Sequence, residues 1–85
     1  FGAFAQASAA YGSLQSGKLD VAKEQIDKAI TNEKQAAKAN TWLYRGDIYA
    51  QIASSPLPNY SSLDTNALQV AYDAYKKAAE LDPKK

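Results

Sequence analysis

The chain contains no cysteine, no histidine and no methionine among its 85 residues. Without cysteine there is no disulfide, and no thiolate to serve as nucleophile or metal ligand. Without histidine the commonest general base and the commonest transition-metal ligand are missing. No apolar run approaches the roughly 20 residues needed to cross a bilayer. A surplus of one charge is also lacking, since ten lysines and arginines face nine acids for a net of +1. An electrostatic nucleic-acid binder shows a basic face, and here only Lys84-Lys85 form a short basic end. No glycine-rich phosphate loop, metal-ligand spacing or nucleophile–base arrangement is found. These absences argue for a non-catalytic domain with no cofactor, no metal, no nucleic-acid partner and no transmembrane segment.

The missing methionine extends to position 1, which leads us to expect a processed form or a piece of a longer protein. Ala3-Phe4-Ala5 ahead of Gln6 matches the small-x-small end of a secretory signal peptide. The same residues, with Phe1, also suit the start of a first helix.

What is present is helix-forming. Apolar residues make up 46% of the chain and charged residues 22%, enough for one core and too apolar for disorder. Residues from about 3 to 15 are alanine-rich, and Gly17 stops the run. The stretch "KLDVAKEQIDKAI" then sets Leu19, Ala22, Ile26, Ala29 and Ile30 on one face at helical spacing. Lys23, Glu24, Asp27 and Lys28 fall opposite, on what reads as a solvated face. A third helix is expected over about 36–53, followed by "SSPLPNYSSLDTN", whose prolines cannot continue it. Asp64 or Thr65 is the expected N-cap of a last helix. On that helix Leu68, Ala71, Tyr72, Tyr75, Ala78 and Ala79 recur on one side, until Asp82-Pro83 ends it. Four helices are predicted.

The second and fourth helices resemble each other. An offset of 49 residues places Leu19 on Leu68, Val21 on Val70, Ala22 on Ala71, Lys28 on Lys77 and Ala29 on Ala78. Paired small residues at matching places indicate a duplicated helix hairpin. The hairpins are expected over about 3–32 and 36–82, the second carrying a long loop over about 54–64.

One residue resists a purely local reading. Gly46 lies inside "TWLYRGDIYA", where glycine costs about 1 kcal/mol relative to alanine. With Trp42 and Tyr49 it holds the first-helix positions of a tetratricopeptide repeat, and Ala71, Tyr75, Ala78 and Pro83 hold those of the second helix. The second hairpin therefore resembles that family. The first matches more weakly, through Gly17, Ala22, Ile26 and Ala29, with Ala10 at the small position and no tryptophan. Arg45 stands where leucine is usual, and the 54–64 loop departs from the family's unit of about 34 residues. The resemblance implies an all-α fold, two antiparallel hairpins stacked as a short right-handed solenoid. It also explains Gly46 as a notch where a partner helix comes close. Secreted or envelope-associated bacterial proteins with "RGxIY" followed by "ALxxAYxAYxKAxELDP" look similar, which favours a periplasmic or secreted placement over a cytoplasmic one.

Members of that family are as a rule binding scaffolds with a concave surface lined by first helices. The resemblance thus implies a protein or peptide partner held by Phe4, Tyr11, Gln15, Asn40, Leu43, Asp47 and Gln51. For Tyr11 and Leu43, plain helix packing is the competing expectation. Trp42, Tyr49, Tyr72 and Tyr75 are expected in the core, and Tyr60 is expected to fold back over the hairpin. Repeat units bury their apolar faces against neighbours, and about three are usual. The protein is accordingly expected to continue past Lys85, or else to self-associate through the exposed end of the array.

Overall fold

Gly17 takes a φ of +77°, a left-handed conformation open to glycine, and this ends the first helix, α1 (Gln6–Gln15). The Gly17 and Lys18 amides turn back onto the Leu14 and Ser13 carbonyls at 3.0 and 2.9 Å, the paired closure of a Schellman motif. The computed structural model describes residues 6–83. Phe4, the Ala3-Phe4-Ala5 stretch and the Lys84-Lys85 end therefore lie outside the described residues.

Helix α2 (Leu19–Ala29) follows at once and buries Leu19, Ala22, Ile26 and Ala29 of the predicted stripe, whereas Ile30 caps the helix end and is only half-buried. With so short a link, α1 and α2 fold back on each other as a hairpin. Ser13 Oγ donates to Gln25 Oε1 at 2.7 Å across it.

The third expected helix is in fact split. A single turn, α3 (Glu33–Ala36), precedes the long helix α4 (Ala39–Ser54). Asn32 caps α3, its side-chain oxygen accepting from the Lys34 and Gln35 amides. The Trp42 indole N–H donates to the Ala36 carbonyl at 2.8 Å, satisfying the group the break leaves open. Trp42 is therefore a half-buried corner piece and not the core residue expected. The proline stretch likewise contains one turn, α5 (Pro58–Ser61), with Pro58 at its first position. Six helices result among the described residues, where four were expected, and no strand. Tyr60 and Leu63 fold back from this connection against the core, as expected of Tyr60.

Helix α6 (Ala67–Leu81) completes the chain's second hairpin with α4. Its first turn is not capped by Asp64 or Thr65. The Asp64 carboxylate accepts from the Asn66 amide at 2.7 Å and so fastens the turn ahead of the helix. The pair is antiparallel: Asn40 lies near Asp82, Leu43 near Ala78, and Gly46 against Tyr75.

The buried stripe of α6 is Ala67, Ala71, Ala74 and Ala78. Leu68 and Tyr72, expected on the core side, are 71% and 62% exposed, and Ala79 is exposed too. One residue along a helix is a turn of about 100°, and the alanine row alone is small enough to lie flat on α4. Tyr75, also expected in the core, is 38% exposed, yet its ring fills the notch at Gly46. A Cβ built at residue 46 would stand 2.5 to 2.8 Å from three atoms of that ring. The expectation that Gly46 makes room for the partner helix holds. Gly12, by contrast, has nothing within 4 Å of the corresponding point.

The two helix-interior glycines should thus respond oppositely to alanine. Gly12→Ala is expected to stabilise the protein by about 1 kcal/mol through helix propensity alone. Gly46→Ala is expected to destabilise it by about 1–3 kcal/mol through overpacking, despite the same propensity gain. In a Tyr75→Ala background the Gly46→Ala penalty should vanish. Denaturant midpoints for the four variants check this, and a stabilising Gly46→Ala in the parent protein would refute the notch.

Candidate functional site

Two grooves of about 530 Å³ each lie on the described surface, and their electrostatics differ. The first is formed where α1, α4 and α6 meet. Tyr11, Leu14, Gln15 and Gly17 come from the first hairpin, Asp47, Ala50 and Gln51 from α4, and Tyr75 from α6. Four of the seven residues singled out from the sequence therefore meet in one place: Tyr11, Gln15, Asp47 and Gln51.

The other three do not join them. Leu43 sits on the far side of the Tyr75 ring, in a small hollow with Ala78 and Ala79, where it packs α4 against α6. Asn40 lies near Lys38 and Asp82, at the opposite end of α4 from Gln51. Seven residues of helix separate Asn40 from Asp47, about 10 Å of rise, too far for one compact site. Phe4 lies outside the described residues. Tyr75, expected in the core, joins the groove as a wall residue that the sequence reading missed.

Each groove residue is positioned by its helix. Tyr11 stacks on Tyr44 with ring centroids 4.6 Å apart and an interplanar angle of 24°, so it both packs α1 on α4 and lines the groove. Gln15 and Gln51 are exposed near the C-terminal ends of α1 and α4. Each amide offers a donor and an acceptor to a ligand. The Tyr75 hydroxyl donates to Asp47 Oδ1 at 2.5 Å. Burial, then the hydrogen bond to Asp47 and its negative charge, push the Tyr75 phenol up to about 12. Among the described residues no lysine or arginine pairs with Asp47.

The second groove is lined by Asp20, Lys23, Glu24, Asp27, Lys28, Thr31 and Leu63. Two of its three acids, Glu24 and Asp27, are paired with cations. Lys28 pairs with Glu24 at 3.6 Å on the solvated face, as the sequence predicts. Asp27 and Lys23 depart from that prediction. Asp27 accepts from the Tyr49 hydroxyl at 2.6 Å, from Arg45 at 3.2 Å and from Lys23 at 3.1 Å. The Arg45 guanidinium lies 5.0 Å from the Tyr49 ring centroid, a cation–π contact. This cluster joins α2 to α4. Burial and the bond to Asp27 raise the Tyr49 phenol well above its ordinary range, against the pull of Arg45.

No family model matches the chain, and no curated protein or solved structure is significantly similar to it. Among the described residues no helix is long and apolar enough to cross a membrane.

Both phenols have folded-state pKa values above the unfolded reference of 10.0. As pH rises the unfolded chain therefore releases these protons first. The stability they contribute is intact below pH 10 and, for Tyr75, is lost between pH 10 and about 12. Spectrophotometric titration should show Tyr49→Phe and Tyr75→Phe each removing one phenol from the late-ionising part of the curve. A late part unchanged by Tyr75→Phe would mean that the Tyr75–Asp47 bond does not form in solution.

Proposed function

We propose that this domain is a non-catalytic protein-interaction scaffold, its hairpins stacked in the manner of tetratricopeptide repeats as a short right-handed solenoid. Its ligand is an extended segment of a partner protein, held in the groove between α1 and α4. The observation that carries this reading is the convergence of Tyr11 and Gln15 with Asp47 and Gln51 in one open groove. Those positions come from the first helices of two different hairpins, the surface that a stacked array presents inward. The chemistry suits a peptide. Tyr11 and Tyr75 offer flat apolar area with few torsions to freeze, while Gln15 and Gln51 can pair with backbone amides and carbonyls. A volume of about 530 Å³ falls within the usual size of a ligand cleft.

A second reading has its own observation. Leu68 is 71% exposed on α6, while Leu19, its counterpart at the 49-residue offset, is 5% exposed on α2. With Tyr72, 62% exposed four residues on, it forms an apolar strip on the outer side of α6. Such a strip suits a neighbouring hairpin or another copy, the behaviour of a capping or oligomerisation module.

Peptides selected from a random display library on the intact domain separate the two readings. Gln15→Ala combined with Gln51→Ala should weaken the selected peptides by roughly tenfold, because two exposed hydrogen-bonding side chains are lost. Leu68→Ser combined with Tyr72→Ser should leave them unchanged. The opposite pattern would move the binding surface to the strip on α6.

A further inference from the structure

The molecule contains the same chemical pair twice. In each, a tyrosine hydroxyl donates to an aspartate carried by a helix of a different element: Tyr49 to Asp27 at 2.6 Å, and Tyr75 to Asp47 at 2.5 Å. The phenol is neutral in both, so each pair keeps a full negative charge on its carboxylate. The two differ in what stands beside them. Asp27 is completed by Arg45 at 3.2 Å and Lys23 at 3.1 Å, and both cations also lie near the Tyr49 ring, at 5.0 and 5.8 Å from its centroid. Asp47 has its phenol and no cation among the described residues. Among the described residues no lysine or arginine lines its groove.

We infer that the groove binds its peptide partner through a cationic side chain, an arginine or lysine, seated on the Asp47–Tyr75 pair as Arg45 is seated on the Asp27–Tyr49 pair. The inference rests on the groove reading above and adds the chemical class of the ligand. Charge complementarity selects the occupant: among the described residues the groove carries one carboxylate and no positive group, and two tyrosine rings border it. A guanidinium can bond to a carboxylate and lie over an aromatic ring at the same time, as Arg45 does within this chain. An acidic segment would meet uncompensated repulsion, and a wholly apolar one would cover Asp47 without pairing it. In the second groove Glu24 and Asp27 are already paired with Lys28, Lys23 and Arg45, and among the described residues no aromatic ring lines it beside Asp20.

The test uses the intact domain and three capped pentapeptides of serine and glycine, with arginine, citrulline or glutamate at the centre. Citrulline keeps the shape of arginine and removes its charge. Amide chemical shifts of the isotope-labelled protein are followed to millimolar peptide. The arginine peptide should move the signals of Tyr11, Gln15, Asp47, Ala50 and Gln51. It should bind roughly five- to tenfold more tightly than the citrulline peptide, and the glutamate peptide should bind weakest. Asp47→Asn keeps an oxygen for the Tyr75 hydroxyl and removes the charge, so it should erase the arginine–citrulline difference. Equal groove binding by arginine and citrulline would overturn the inference and leave the groove reading standing. Shifts confined to the Asp20–Lys28 face would overturn it as well. No groove shifts with any of the three would remove both.

Discussion

The close contact of α4 with α6 at Gly46 is the constraint on which the second half of the molecule is built. A residue without a side chain lets an aromatic ring occupy the space where a Cβ would be. The alanine row of α6 can then lie flat against α4, and the ring that fills the notch carries its hydroxyl onward to Asp47. One small residue thereby places a phenol at the wall of the groove and fixes the carboxylate beside it. The penalty that glycine brings to a helix interior is offset by this packing, whereas Gly12, facing open space, gains nothing comparable.

A second constraint ties the hairpins together, and it is polar. Helix α2 meets α4 through Asp27, whose carboxylate gathers a phenol, a guanidinium and an ammonium. Such a cluster is directional where an apolar contact is not, so it fixes the angle between hairpins as well as their contact. The groove depends on that angle, because its two walls belong to different hairpins. Structure and electrostatics are thus coupled: Asp27 holds the hairpins together, and Asp47 holds only a phenol among the described residues.

Much of this was legible from residue spacing. Most of the α2 stripe and the stop at Gly17 follow from period and turn chemistry, and the role of Gly46 was suggested by the family pattern it resembles. What escaped has a physical cause. On α6, the row Ala67, Ala71, Ala74, Ala78 and the row Leu68, Tyr72, Tyr75, Ala79 both recur at three- and four-residue intervals, so two stripes satisfy the same period, and only packing shows that the smaller one is buried. Asp27 looks like its neighbours Glu24 and Lys28 in one dimension. Its partners Arg45 and Tyr49 are 18 and 22 residues away, and no local pattern announces them. In the groove, Tyr11, Gln15, Asp47 and Gln51 were identifiable from their places on first helices. Tyr75 was not, because it belongs to a second helix and appeared committed to the interior. Asn40 and Leu43 share a helix with Asp47, but they lie toward the end that faces the α6 terminus.

The alanine face of α6 has a consequence for register. Alanine has no side-chain torsion to freeze, so docking this face loses little beyond backbone freedom. The same uniformity makes it a smooth rail. Ala67, Ala71, Ala74 and Ala78 recur so regularly that a slip of one turn, about 5.4 Å, would set alanine against α4 again at most points. The Tyr75 ring distinguishes one setting from the next most sharply, since it has a notch to enter at Gly46. Alignment along the helix pair is thus governed chiefly by one lock-like position, with the long contact around it supplying adhesion but little address.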